Sequence, residues 1–281
     1  MAGILYLVAT PIGNLEDMTY RAVRILKEVD LIAAEDTRNS IKLLNHFEID
    51  TPMTSYHEFN KFDKAETLIA KLKEGQNIAC ITDAGTPGIS DPGEVLVKMC
   101  YEEGIEVLSV PGPAAVITAV TSSGQACRRF AFEAFLPRDK KERRIILEET
   151  KNETRTVVFY EAPHHLVATL KELAEVLGED RSITLCRELT KKHEEKILTT
   201  IGEAITSFEN KEPRGEYVLV IAGKSRVELL EESRAVYEDV SIEEHMKQYL
   251  DAGMDKKEAM KAVAKDRGVS KRDIYNALLE K

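Results

Sequence analysis

The sequence predicts two α/β domains with a cleft between them, followed by a small helical tail. Three observations carry this. Residues 1–115 alternate short apolar runs with amphipathic stretches, the pattern of a mainly parallel sheet covered by helices. From about Gly124 to Gly223 the strand-like runs follow one another closely, which points to a mixed sheet. Three loops rich in glycine and proline fall where strands of the first region hand over to helices. Parallel strands place their carboxyl ends along one edge, so these loops should converge on one cleft. The divisions are 1–115, 116–225 and a tail at 226–281 made of an acidic linker and helices.

The first apolar run, Ile4 to Val8, ends in Ala9-Thr10-Pro11-Ile12-Gly13-Asn14. Thr19–Val29 carries a helical stripe of Ala22, Val23, Ile25, Leu26 and Val29. Leu31–Ala34 reads as the second strand and stops at Glu35-Asp36-Thr37-Arg38; Lys64–Lys73 is an amphipathic helix. Ile78–Thr82 reads as a buried strand, and the stretch Asp83 to Gly93 after it holds three glycines and two prolines. Glu94–Met99 resumes a helical pattern. Glu106–Ser109 is a further strand, ending in Val110-Pro111-Gly112-Pro113-Ala114-Ala115. Pro113–Ser123, rich in alanine and valine, is expected as a helix buried on every side. Glycines in these loops, Gly85 and Gly112 above all, are expected to let backbone approach a ligand with no Cβ in the way.

In the second region the strands are Phe130–Phe135, Thr156–Tyr160, Ser182–Cys186, Lys196–Ile201 and Tyr217–Ala222. Helical stretches at Lys140–Thr150 and Leu166–Leu177 lie between them. In the tail, Ser241 is an N-cap followed by acidic residues and opens a helix to about Leu250. Asp255–Asp266 and Ser270–Leu279 give two more. The phrase Lys265 to Tyr275 has the shape of a helix-turn-helix junction, read either as nucleic-acid contact or as a solvated cap.

Composition narrows the function. With 43% hydrophobic and 31% charged residues in 281, the chain is globular. No apolar run reaches the ~18 residues that span a bilayer, and Met1-Ala2-Gly3-Ile4 lacks the basic start of a secretory signal, so cytoplasm is expected. Cys80, Cys100, Cys127 and Cys186 form no C-x-x-C pair, the six histidines are scattered, and no metal site is expected. Neither a G-x-x-x-x-G-K-[ST] loop nor G-x-G-x-x-G after a strand is present, which argues against a nucleoside triphosphate or a Rossmann dinucleotide. A net charge of −10 argues against indiscriminate coating of nucleic acid. Charge is nonetheless segregated: residues 226–244 carry −5, residues 254–272 carry +4, and Arg138 to Arg144 carries +3.

The runs LVATPIGNLEDMTYRA (7–22), AAEDTR (33–38), ITDAGTPGISDPG (81–93), VPGPAA (110–115), FYEAPH (159–164), RELTKKHEE (187–195) and GEYVLVIAG (215–223) are long, ordered and spread over most of the chain. They resemble the ribosomal RNA small subunit methyltransferase I family, part of the tetrapyrrole-methylase-like group. One departure is His165, where the family pattern carries arginine. The resemblance implies the two-domain tetrapyrrole methylase fold, S-adenosyl-L-methionine as cofactor, and a homodimer. It implies methyl transfer to the ribose 2′-hydroxyl of a cytidine in the decoding region of small-subunit ribosomal RNA. Carried over by motif, it places Pro11, Asp83, Ala84, Gly85, Thr86, Ile89, Pro111, Gly112 and Ala114 of the first domain at the cofactor, with Tyr160 and Glu161 approaching from the second.

The acceptor side rests on charge and position. In-line methyl transfer asks mainly for positioning, and a base assists by taking the hydroxyl proton. Glu35, Asp36, Glu58 and Glu188 are eligible as that base, and the sequence does not choose among them. Arg38, His57, Arg187 and Lys191 are candidate substrate contacts, joined by Lys256 and Lys257 of the basic tail. Each charged group has an ordinary surface ion pair as its alternative reading. Two other functions stay in view. A tetrapyrrole or corrin methylase would share the fold, although such enzymes resemble one another in a G-x-G-P-G turn where this chain has Thr10-Pro11-Ile12-Gly13-Asn14. A noncatalytic RNA-binding assembly factor would keep the cleft as a vestige.

Overall fold

In the computed structural model, which describes residues 1–237 and 239–279, two five-stranded sheets lie on either side of one cleft. The first consists of Leu5–Val8 (β1), Leu31–Ala34 (β2), Met53–Ser55 (β3), Ile78–Ile81 (β4) and Val107–Val110 (β5), ordered β3-β2-β4-β1-β5 with every pair parallel. Both of its faces are covered, which explains why its strands read as continuous apolar runs. Tyr20–Glu28 (α1) and Thr37–His46 (α2) bury Leu26 and Leu44 on one face; Lys61–Lys73 (α3) and Gly93–Glu102 (α4) bury Leu68, Leu72 and Leu96 on the other.

Ala115–Ser122 (α5) leads into the second sheet. Phe130–Phe135 (β6), Thr156–Glu161 (β7), Ser182–Arg187 (β8), Glu195–Thr200 (β9) and Tyr217–Ile221 (β10) take the order β6-β7-β10-β8-β9. Only β6 and β7 are parallel; the other pairs are antiparallel, the mixed sheet expected. One face is packed by Lys140–Thr150 (α6), Pro163–Leu177 (α7) and Ile201–Ser207 (α8) around Phe159, Leu170 and Leu219. The other receives α5: Val116, Ala119 and Val120 pack with Ile12 of the first domain against Val158, Cys186, Val218 and Val220.

The structure corrects two expectations here. The α5 helix is not buried all round, because only its Val116–Ala119–Val120 stripe meets the sheet and Ile117 is 49% exposed. The acidic stretch after Lys224 is not simply a linker, because Arg226–Ala235 forms a helix (α9). Its start is fixed by a reciprocal cap between Ser225 and Glu228, and the buried Lys224 ammonium pairs with Glu232. Negative charge count alone hides these local partners. The short elements β3, α2 and α8 are not among those expected from the sequence, although Asp36 caps α2 and Thr200 and Glu203 form a capping box at α8.

Three further helices, Ile242–Asp251 (α10), Lys256–Arg267 (α11) and Lys271–Ala277 (α12), enclose a small core of Met246, Ala259, Met260, Val263 and Ile274. The helix-turn-helix junction is real: Gly268 ends α11 in the left-handed conformation, φ 61°, and Ser270 caps α12. A Cβ on Gly268 would lie 2.0 Å from Arg234 Nε of α9, so the absence of a side chain lets α9 sit on the end of α11. Gly268→Ala should therefore cost the tail at least the ~1 kcal/mol of a left-handed alanine and displace Arg234. Amide exchange should speed up across residues 242–279 and stay unchanged in both sheets. Equal protection in the variant would show that the contact holds nothing.

Candidate active site

Three loops at the carboxyl edge of the first sheet meet as expected. The loop after β1 and the loop after β4 are cross-linked by an antiparallel pair. Thr10 N–H donates to Gly85 O at 2.9 Å, and Gly85 N–H donates to Thr10 O at 3.0 Å. Thr86 Oγ1 then donates to Pro113 O at 2.9 Å, tying in the loop after β5. Gly85 has φ 86°, which L side chains rarely adopt, so glycine is required by the backbone itself. Gly112 answers to packing: a Cβ there would lie 2.8 Å from Ala9 Cβ. Backbone conformation and packing thus each require glycine here, beside the expected clearance for a ligand.

The loop after β4 also explains why no phosphate-binding motif appears. Its free N–H groups at Gly88, Ile89 and Gly93 all donate to Asp91, at 2.8–3.1 Å. The nest that would otherwise attract an anion holds the chain's own carboxylate. Burial pushes the Asp91 carboxyl up, against the pull of those three N–H groups.

Between the domains lies a cavity of about 280 Å³, at the small end of the roughly 300–1,000 Å³ typical of ligand pockets. The first domain contributes Ile12, Ala84, Gly85, Thr86, Ile89 and Ala114. The second contributes Phe135, Tyr160, Glu188, Leu189, Lys191 and Glu216, with Glu161 at its border. Tyr160 is central. Its hydroxyl accepts a 3.0 Å bond from Val116 N–H at the start of α5, a helix whose own N-cap, Ala114, has no side chain to do so. Its ring lies edge-on to Phe132 and Phe135. Strand alternation sends Glu161 the other way, and its carboxylate takes Thr169 Oγ1 of α7 and Ala162 N–H.

At the cavity rim Lys191 Nζ bridges Glu188 Oε1 at 2.9 Å and Glu216 Oε2 at 2.8 Å. Two glycines make this cluster possible. A Cβ on Gly13 would lie 2.4 Å from Lys191 Cγ, and one on Gly215 would lie 2.4 Å from Glu188 Cγ. Burial raises the Glu188 carboxyl, but bonds from Glu216 N–H and Lys191 outweigh it and hold it below the usual carboxylate range. Glu188 and Thr190 are themselves in the left-handed region, φ 49° and 66°. Such strain persists where the surroundings over-determine it and gathers at functional sites.

The other residues that the sequence singles out lie around this cavity or away from it. Pro11, Asp83, Pro111 and Gly112 lie in the three loops without lining the cavity. Asp83 stands beside Glu35, whose carboxylate takes Thr82 Oγ1 at 2.5 Å; burial and the Glu35 charge push Asp83 up. Asp36 caps α2 and is held at about 2 by Arg38, which grips it in a two-pronged pair. Glu58 pairs with Lys61, and His57 lies on the same loop with its Nδ1 buried and unpartnered. Arg187 is engaged by Arg214 O and Glu195. Lys256 and Lys257 are exposed on α11, in the tail. Among the described residues no His, Cys, Asp or Glu cluster could hold a metal ion.

Sequence reasoning missed Ile12, Phe135 and Glu216. Alternation along the last strand could have placed Glu216 beside Gly215, but the backbone irregularity that aims Phe135 has no sequence signature.

The Glu188–Lys191 pair yields a pH prediction. A carboxyl whose folded pKa is depressed contributes stability above its unfolded value, ~4.3, and loses it as the pH falls through the folded value. Lys191→Met should lower the melting temperature by roughly 2–4 °C at pH 7, for an ion pair worth about 1 kcal/mol. The difference from the parent should shrink as the pH falls below the unfolded value and Glu188 protonates at its depressed folded value. Thermal melts at pH 7 and pH 3.5 check this, and an undiminished gap at the lower pH would make Lys191 a packing residue.

Comparison with known proteins places these features. A family model described as Tetrapyrrole (Corrin/Porphyrin) Methylases matches residues 4–205. A protein of Halalkalibacterium halodurans named ribosomal RNA small subunit methyltransferase I is 50% identical over 274 residues, 98% of this chain and 94% of its own. A Thermotoga maritima protein of the same name is 48% identical over 222 residues, 79% of this chain but 99% of its own. Among solved structures, uroporphyrin-III C-methyl transferase from Thermus thermophilus, complexed with S-adenyl homocysteine, superposes with TM-score 0.54 at 19% identity. It covers 77% of this chain and 97% of that one, and the likeness is one of fold.

Proposed function

The chain belongs to the tetrapyrrole (corrin/porphyrin) methylase family, in its ribosomal RNA small subunit methyltransferase I group, and we propose that it methylates the ribose 2′-oxygen of a cytidine in the decoding region of small-subunit ribosomal RNA. It is a methyltransferase that uses S-adenosylmethionine. The observation that carries the RNA reading is near-half identity along nearly the whole of relatives bearing that name, against 16–19% for porphyrin and corrin enzymes. The intact cavity and its strained rim favour an enzyme over a vestigial binding factor.

The cavity suits the donor. Its walls are mostly apolar, its rim carries an ionised carboxylate, and its glycine-rich loop offers no anion cradle, which fits a cationic sulfonium and not a phosphate. Ala84, Gly85, Thr86, Ile89, Ala114 and Tyr160 would hold it. When bound, S-adenosylmethionine supplies an electrophilic methyl group. The chain's part is then to hold the ribose oxygen in line, exclude water and accept a proton. Of the four carboxylates that the sequence offers as base, Glu188 alone borders the cavity. It is ionised at neutral pH, and Lys191 fixes the oxygen that it shares with Glu216 N–H. Glu188 as proton acceptor with Lys191 as its positioning partner is therefore the assignment we favour.

For the substrate we assign capture of ribosomal RNA to the basic tail, with Lys256, Lys257, Lys261 and Lys265 exposed on α11. A ribosomal substrate implies the cytoplasm, and no helix among the described residues is long and apolar enough to cross a membrane. A homodimer agrees with the exposed edge strand β9, where Ile197 and Leu198 are both exposed.

Three experiments test this. Incubation of undermodified small subunits with labelled donor should give a single position resistant to alkaline cleavage; label leaving with the free base, or entering only tetrapyrroles, would refute the assignment. Replacing the four tail lysines by glutamine should weaken subunit binding and flatten its salt dependence, by a slope of about 0.7–0.9 for each phosphate that is no longer neutralised. A chain ended after Tyr237 preserves the Lys224–Glu232 pair and should keep donor affinity while losing subunit affinity. Unaltered subunit binding at every salt concentration would reduce the tail to a cap.

A further inference from the structure

Strand β6 carries a backbone irregularity with a chemical consequence. It runs parallel to β7 with Phe130 opposite Thr156 and Phe132 opposite Val158, but then Ala134, not Glu133, stands opposite Phe159. One residue is extra, a β-bulge, and Ala134 takes the left-handed region at φ 55°. Without the bulge, alternation would send Phe135 to the face opposite Phe132. The inserted residue reverses the parity. Phe135 instead lies on the same face as Phe132, against the same Tyr160 ring at 5.5 Å between centroids. Leu136 continues on the other face, in the core with α6 and α7.

The result is an unusual placement. A large apolar ring is 57% exposed at the mouth of the cavity, held there by a strained non-glycine residue. Exposure alone is ordinary, since Phe59 and Phe62 are more exposed; what sets Phe135 apart is that a strained bulge aims it at the cavity. Three residues on begins the basic run, in which Arg138, Lys140, Lys141 and Arg144 are exposed while Arg143 is engaged by Glu172 and Thr169. An aromatic ring beside exposed cations is the pairing that receives an unstacked base and its phosphate.

We propose that Phe135 is a base-stacking platform: the nucleobase of the target nucleotide lies on its ring, with the adjoining phosphate on the Arg138–Arg144 run. This rests on the RNA-methylating reading above and adds the subsite that orients the nucleotide. Tyr160 packs against the ring at 64° between planes, and the ring, 57% exposed, lines the cavity mouth. The contact makes no hydrogen bond to a base edge, so the platform positions the nucleotide without by itself choosing cytosine.

The chain contains no tryptophan, so Phe135→Trp installs a single reporter at the platform. Its emission should be quenched saturably by oligocytidylate. Phe135→Leu keeps an apolar side chain and removes the ring. Its KM for undermodified subunits should rise roughly 5- to 150-fold, the fold-change for ~1–3 kcal/mol of stacking at about 1.4 kcal/mol per tenfold. Its S-adenosylmethionine affinity by calorimetry should fall by a smaller factor than its KM for subunits rises, with circular dichroism showing the parental fold. An unchanged KM overturns the platform while parental methylation of subunits still supports the RNA reading; absent parental methylation overturns both. Lost donor affinity with KM retained would assign the ring to the donor pocket. Emission that changes on dilution and ignores oligocytidylate would assign it to contact with a second copy.

Discussion

The packing of α5 on the second sheet determines whether there is a site at all. This short helix follows directly from the last loop of the first sheet, so wherever it rests, that loop is fixed. Its apolar stripe of Val116, Ala119 and Val120 is buried by Val158, Val218 and Val220 of the second sheet together with Ile12 of the first domain. At its start, the Tyr160 hydroxyl takes the Val116 N–H that the helix cannot satisfy internally. One contact is therefore both a cap for α5 and a wall of the cavity. Burying four or five apolar side chains on this seam, at about 1.5–3 kcal/mol each, outweighs any rim ion pair. The cleft owes its shape to the seam, and the Glu188–Lys191–Glu216 cluster is ordered on top of it.

Backbone strain follows the same geography. Among the described residues, the non-glycine positions with positive φ are Glu48, Ser90, Ala134, Glu188 and Thr190, and all but Glu48 lie in segments that border the cleft. Each is held by something nearby: Asp91 gathers the N–H groups around Ser90, β7 registers the bulge at Ala134, and Lys191 with Glu216 N–H clamps Glu188. Rigid placement suits a reaction in which alignment supplies much of the rate.

Much of this is legible in sequence because it depends on local composition. Buried strands such as Ile78–Ile81 announce themselves as unbroken apolar runs, and Ser241 and Ser270 announce helix starts. The convergence of three loops follows from the parallel sheet alone. What stays hidden depends on partners distant in sequence. Gly112 is small because Ala9 lies against it, and Gly215 is small because Glu188 does. Glu161 looks equivalent to its neighbour Tyr160, yet alternation turns its carboxylate to Thr169. Phe135 reads as an ordinary strand residue until the bulge shifts its face. The α9 helix is masked by its charge, since Glu228 and Glu232 read as repulsion until Ser225 and Lys224 are set beside them.

An acidic protein with an anionic substrate looks paradoxical until the charges are located. Glu35, Asp36 and Asp83 crowd the edge of the first sheet, and their mutual repulsion contributes to pushing Asp83 up. A phosphate backbone would not settle there. Arg38, the exposed cation at that edge, is engaged by Asp36, whereas the exposed cations of the run after Phe135 and of α11 lie elsewhere. At about 0.15 M salt, fields from exposed charges fade over ~8 Å, so these regions act separately and the net charge of −10 governs neither. Carboxylates near the cavity favour a cationic donor, while cations beyond its mouth favour the polyanion that brings the acceptor. On the ribose-methylating reading proposed above, segregation lets one acidic chain attract both reactants, each to its own side of the acceptor oxygen.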